Sequence, residues 1–285
     1  MKSKFMRKMN PETYEETQNE LVYAGPTVFY DQTKEIQYHK IDKMDIKSAY
    51  LAYLVNTNIQ KPGIMRVKST QYHKHDEKIR LYVIQFYCEN SNPFVKWFLN
   101  TSAIHKKKFI SNGTKLSGMV SIFSSTWMNN LQYVRKFLSK EQARIEKSYL
   151  FIGPAAVEVN KEQIHKLYQE KEWGSKAAKK MLVQSTCFLS IIDKPSYYHM
   201  LQYIKFHLLE TVYNYGLEHD IVGVQTDCLF IRVNTRTENA AEQIMKDKVS
   251  AANIALSTIG TYTHKRVNYD EIITKTARRR TRTTR

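Results

Sequence analysis

Two apolar runs about 180 residues apart each carry a single carboxylate. The first is Lys43-Met44-Asp45-Ile46-Lys47-Ser48-Ala49-Tyr50-Leu51. There Asp45 ends an extended stretch, and a helix-like pattern (Ala49, Tyr50, Ala52, Tyr53, Leu54) begins at once. The second is Ile221-Val222-Gly223-Val224-Gln225-Thr226-Asp227-Cys228-Leu229-Phe230-Ile231, a hairpin-like run with Asp227 at its centre. A carboxylate at a strand end, with Ser48 and Tyr50 on the turn after it, can hold a cation. The backbone of that turn can also offer N–H groups to an anion such as a triphosphate. Two such acids brought together from distant strands make a divalent-metal site. That requirement constrains the fold more than any other feature of the chain.

The segments between are mixed. Residues 1–20 are polar and charged and read as a leader, and Gly25-Pro26 turns the chain before a hairpin that delivers Asp45. Residues 46–56 are helix-like, and Ile79 to Tyr87 is a strong strand pattern. Ser125 to Leu138 has helical apolar spacing, and Lys147 to Val159 is strand-like, interrupted at Gly153-Pro154. Lys161 to Ser185 reads as two helices meeting near Trp173-Gly174, followed by a helix from about Tyr197 to Tyr215 that Gly216 stops. Ala240 to Leu256 is helical again, with a strand near Gly260 to Val267. Strands and helices intermix without βαβ repeats. The expected class is therefore α+β, an antiparallel sheet with helices packed on one face. The expected organisation is a core over 21–270 and a basic tail over 271–285.

Charge narrows the partners. Lys and Arg number 44 against 27 Asp and Glu, a formal net charge of +17. Six of those positive charges lie after Glu271, so eleven remain on the body of the chain. No apolar run reaches the ~18 residues of a membrane span. Nucleic acid is the expected partner, and a membrane is not. Cys88, Cys187 and Cys228 are odd in number and lack zinc spacing, which suits a reducing, cytoplasmic compartment. His73-Lys74-His75-Asp76 reads as a solvated loop. Lys176 and Lys180 are four apart and share a helical face beside Met181, Leu182 and Val183, as a triphosphate-facing helix requires.

These stretches resemble the polymerase part of family B DNA polymerases, most closely the protein-primed bacteriophage branch. Asp45-Ile46-Lys47-Ser48-Ala49-Tyr50 looks like the first palm motif, Asp-x-x-Ser-Leu-Tyr, with Ala49 in place of Leu. Lys180-Met181-Leu182-Val183-Gln184-Ser185 looks like the fingers motif Lys-x-x-x-Asn-Ser-x-Tyr-Gly, with Gln184 for Asn and Cys187-Phe188 for Tyr-Gly. Gln225-Thr226-Asp227-Cys228 looks like Asp-Thr-Asp-Ser, with Gln225 where the first acid stands. Tyr23-Ala24-Gly25-Pro26 is similar to a Tyr-x-Gly-Gly template-contact motif, and Lys265 fits a Lys-x-Tyr primer-contact motif.

The resemblance implies a palm with a helical fingers element and a minimal DNA polymerase activity of low processivity, located in the cytoplasm, that of the host cell if the enzyme is viral. It implies two Mg²⁺ ions on Asp45 and Asp227, with Mn²⁺ as a substitute. It implies nucleotide contacts at Ser48, Ala49, Tyr50, Lys176 and Lys180, and nucleic-acid contacts at Tyr23, Gly25, Ser185, Thr226 and Lys265. Tyr50 is the residue that would exclude a 2′ hydroxyl, so dNTPs are the expected substrates. Primer–template or single-stranded DNA and other replication proteins are the expected partners. About 20 residues precede Tyr23 and about 15 follow Asp270, so neither a proofreading exonuclease nor an ordinary thumb is expected. A primase-like enzyme on the same palm and a non-catalytic subunit of a split polymerase are the alternatives.

Overall fold

The computed structural model describes residues 28–30, 40–56, 64–67, 80–88, 110–112, 115–123, 144–151, 160–192, 194–251 and 260–268. The expected helix over Ser125–Leu138, the His73 loop and the basic tail lie outside them. The described strands are β1 (Val28–Tyr30), β2 (Lys40–Ile46), β3 (Ile64–Val67), β4 (Arg80–Cys88), β5 (Ile110–Asn112), β6 (Lys115–Phe123), β7 (Arg144–Phe151), β8 (Ile221–Gln225), β9 (Cys228–Arg232) and β10 (Tyr262–Asn268). The described helices are α1 (Ala49–Asn56), α2 (Lys161–Glu172), α3 (Lys176–Ile192), α4 (Lys194–Asn214) and α5 (Ala240–Ala251). The class is α+β with antiparallel sheets.

The chain divides into two compact units. One comprises Thr27–Ala49, Asn92–Phe94 and His207–Arg285, and holds a five-stranded sheet in the order β1-β8-β9-β2-β10. Strand β2 is an interior strand, flanked by β9 and β10, and its alternating pattern gives both faces something to bury. Ile41, Lys43 and Asp45 share one face, where Ile41 joins a buried cluster with Val222, Cys228, Phe230 and Val267. Met44 and Ile46 point to the other face and are buried there with Leu229, Ile231 and Tyr262. Tyr262 stacks on His207, ring centroids 5.9 Å apart, and its hydroxyl lies 3.0 Å from Thr211 Oγ1. These contacts fasten the last turns of α4 to the sheet. Helix α4 stops at Gly216, whose positive φ of 61° lets Leu217 N–H reach back to the Val212 carbonyl (2.9 Å).

Two buried carboxylates hold this unit together. Asp42, 1% exposed, is gripped by His264 Nε2 (2.8 Å) and by Arg266 Nε (2.9 Å), pinning the edge strand β10 to β2. Asp220, equally buried, accepts from Arg232 (3.2 Å), Asn234 Nδ2 (2.8 Å) and Arg236. It thereby organises the loop that leads into α5, where Asn234 and Thr237 complete the turn.

The other unit comprises Met1–Pro26, Tyr50–Ser91 and Val95–Phe206. Its five-stranded antiparallel sheet runs β3-β7-β4-β6-β5, with the pairing of β4 to β7 shifted between Val83 and Ile84. The strand expected at Ile79–Tyr87 is β4. Strands β3 and β5 are too short, and β6 alternates too poorly, to stand out in the sequence. In α1, Tyr53 is fully buried and packs edge-on against Tyr203 at 5.3 Å. Asn160 caps α2, its side chain accepting from Gln163 N–H at 3.0 Å. Helix α3 buries Ala178 and Leu182, one turn apart.

Candidate active site

Cross-strand register brings the two acids to one end of one sheet. Asp45 is the penultimate residue of β2 and lies directly opposite Cys228, the first residue of β9. Asp227 is the residue before Cys228, in the two-residue loop between paired Gln225 and Cys228. The Asp227 carbonyl accepts a hydrogen bond from Ile46 N–H at 3.0 Å, which fixes the loop against the end of β2. The carboxyl group of Asp227 is pushed up to about 6, first by burial and then by the negative charge of Asp45, with Lys43 acting the other way. Two carboxylates from positions about 180 residues apart therefore sense each other electrostatically.

Strand alternation also brings Lys43 to this face, its Nζ 3.4 Å from Asp45 Oδ2. Lys265, paired with Lys43 across β10, belongs to the same face and is exposed. The sequence reading missed Lys43, although its place two residues before Asp45 on a strand was a sufficient signal. Thr263 opposes Asp45 on β10 and donates from Oγ1 to the Asp45 carbonyl at 3.1 Å.

The backbone beside both acids is held in an unfavourable conformation. Among the described residues, the non-glycine residues with positive φ are Ser48 and Thr226, each at 55°. Thr226 immediately precedes Asp227, and a β-branched residue resists this region. The Ser48 turn is braced on both sides: Lys47 N–H donates to the Thr261 carbonyl (2.8 Å) and Gly260 N–H to the Lys47 carbonyl (2.7 Å). The N–H groups of Ile46 and Lys47 are thus engaged within the protein.

The remaining expected site residues are distributed as follows. Ser48, Ala49, Thr226 and Lys265 lie with the two acids in the same unit. Ala49 is buried, so its methyl group serves packing. Tyr50, Lys176, Lys180 and Ser185 lie in the other unit. Tyr50 is half-buried in the first turn of α1, and Lys176 and Lys180 are exposed on α3. Tyr23 and Gly25 are outside the described residues.

The donors at the Asp45–Asp227 corner are hard carboxylate oxygens, the type that binds Mg²⁺ or Mn²⁺. Asp45 is partly open, its side chain 41% exposed, and a cation would offset the burial and the Asp45 charge that together raise Asp227. The two carboxylates have the chemistry for such an ion, although among the described residues no group of three or more His, Cys, Asp or Glu gathers around one point.

An α+β unit with an antiparallel sheet carrying two acids at one end is the class of protein these features define. No family model and no curated protein matches the chain. Solved structures do. Phi29 DNA polymerase complexed with primer–template DNA, a post-translocation binary complex, matches with a TM-score of 0.60 at 12% identity, over 90% of this chain and 47% of that one. The ternary complex of Phi29 DNA polymerase with primer–template DNA and incoming nucleotide matches with a TM-score of 0.59 at 12% identity, over 87% and 47%. The complex with single-stranded DNA gives 0.55 at 12% identity, over 87% and 46%. The chain spans about half the length of these structures, and the likeness is one of fold.

Proposed function

We propose that this chain is a template-directed DNA polymerase that transfers nucleotides from dNTPs at the Asp45–Asp227 corner. The observation that carries the reading is the meeting of these two acids at the end of a polymerase-like sheet. Phosphoryl transfer asks little covalent chemistry of a protein; it asks for alignment and neutralisation of charge. Asp45 and Asp227 would hold two Mg²⁺ ions, which supply that neutralisation when bound. Lys43, already beside Asp45, would moderate the negative charge of the pair and keep Asp45 oriented. The braced Ser48 turn would present its backbone to the triphosphate, and Lys176 and Lys180 would hold the β and γ phosphates. Tyr50 would lie under the sugar. Lys265 would meet the primer backbone, and Thr226 and Ser185 the nucleic acid near the reacting end. With a net charge of +17, the grip on DNA would be largely electrostatic and steeply salt-dependent.

The test is Mg²⁺-dependent incorporation of dNTPs on a primed template by the wild type, Asp45→Asn and Asp227→Asn. The expected result is activity in the wild type and loss of at least about a hundredfold in either variant. Activity unchanged by Asp227→Asn would end this reading. Supplying NTPs without a primer in the same assay separates a primase-like enzyme. A second reading, a non-catalytic DNA-binding subunit, is favoured by Gln225, an amide at the end of β8 directly opposite Cys228. It predicts DNA binding with no incorporation at any Mg²⁺ concentration.

A further inference from the structure

Trp173 caps the C-terminus of α2 and is 82% exposed. A single exposed apolar side chain is ordinary, but an indole held outward by an ordered turn beside unbalanced positive charge presents a flat face on which another ring can stack. The turn is ordered. Trp173 N–H donates to the Gln169 carbonyl (3.0 Å), Gly174 N–H to Lys171 (3.0 Å) and Ser175 N–H to Glu170 (2.9 Å). Gly174 takes the positive φ, 94°, that reverses the chain, and Ser175 Oγ accepts from Ala178 N–H (3.2 Å) to start α3.

The charge beyond this turn says what the partner is. Lys176, Lys180 and Gln184 follow at four-residue intervals on α3, with Lys179 and Val183 beside them, and all five are exposed. Among the described residues, no carboxylate lies within ion-pair distance of these three lysines. On α2 the charge is internally balanced: Lys171 lies 3.9 Å from Glu172 and over the Tyr168 ring at 4.8 Å. An unbalanced cationic helix face next to an outward indole matches a ligand with both phosphates and open aromatic faces. Single-stranded nucleic acid has both, whereas an intact duplex hides its base faces in the stack.

We propose that Trp173 is a stacking platform for an unpaired base, and that the α2–α3 hairpin uses it with Lys179, the α3 lysine not assigned to the incoming nucleotide, to hold single-stranded DNA. This deepens the polymerase reading by assigning a grip on the unpaired strand. The test compares full-length wild type, Trp173→Ala and Trp173→Phe for binding to a fluorescently labelled single-stranded oligonucleotide and to a blunt duplex at matched salt. Trp173 is exposed, so both variants should fold, which circular dichroism checks. Trp173→Ala should weaken single-strand binding roughly tenfold, the scale of one base–aromatic stack, while Trp173→Phe retains most of it. Duplex binding should change less than about twofold, because a duplex leaves base faces open only at its two ends. Because Trp173 is uncharged, the salt slope should stay that of the wild type. Single-strand affinity equal to wild type in Trp173→Ala overturns the inference, as does an effect confined to self-association. Failure here beside normal dNTP incorporation sinks the stacking platform alone. Absence of incorporation by the wild type sinks the polymerase reading and leaves the binding result to stand or fall by itself.

Discussion

Replacing Asp227 with Asn should stabilise the metal-free protein at neutral and alkaline pH. Burial and the charge of Asp45 raise the Asp227 carboxyl from 3.8 to about 6. Each factor of ten in proton affinity corresponds to ~1.4 kcal/mol, so the ionised group costs the folded chain at most about 3 kcal/mol. Water that reaches this partly covered carboxyl leaves about 2 kcal/mol of that. The sign follows from the direction. A carboxyl with a raised folded-state pKa contributes stability that is fully present below about pH 4 and is lost as pH rises toward about 6. Asn, never ionised, escapes that loss. Urea denaturation in EDTA should therefore show Asp227→Asn more stable than wild type by about 2 kcal/mol at pH 8, with the gap closing toward pH 4. Mg²⁺ should stabilise the wild type and narrow the gap. A variant no more stable at pH 8, or an advantage independent of pH, would refute the argument that burial and the neighbouring Asp45 charge disfavour an ionised Asp227 in the folded chain.

Thr226→Asn should raise stability by roughly 0.5–1 kcal/mol in the same assay, because Asn accepts a φ of 55° more readily than a β-branched residue; a loss would mean that the Thr226 side chain contributes more than its backbone costs. Asp42→Asn should cost about 2 kcal/mol, since it removes the charge that His264 and Arg266 grip. Burial pushes Asp42 up, but those two partners hold it below the ordinary carboxylate range, so its contribution is present above about pH 4 and is lost on further acidification. A chain whose acid unfolding is the same with and without Asp42→Asn would contradict this. Lys180→Ala should raise the KM for dNTPs about tenfold with a smaller change in kcat, as expected for a lost contact to phosphate; an unchanged KM removes Lys180 from the nucleotide site.

The parts of this fold legible in the sequence were those written in short-range periodicity. The alternation around Asp45 and Asp227 identified β2 and the β8–β9 hairpin, and Gly216 marked the end of α4. The break at Trp173-Gly174 separated α2 from α3. What the sequence hid depends on pairing over long distances. Strands β3 and β5 span four and three residues, too few for a period to declare itself, and they exist through their partners β7 and β6. No local pattern marks Asp42 as a buried acid, because its partners, His264 and Arg266, come from more than 200 residues away. The strained turn at Thr226 ran against propensity, since nothing about a threonine announces a positive φ. Lys43 needed only the two-residue period of the strand that already carried Asp45.

The claim on which the rest depends is that Asp45 and Asp227 together hold a divalent cation. Electron paramagnetic resonance titration of Mn²⁺ into wild type, Asp45→Asn and Asp227→Asn in the presence of primed DNA and dNTP measures it directly. Bound Mn²⁺ in the wild type, displaced by Mg²⁺ and sharply reduced in both variants, is the predicted result. Equal Mn²⁺ binding by all three proteins would contradict it.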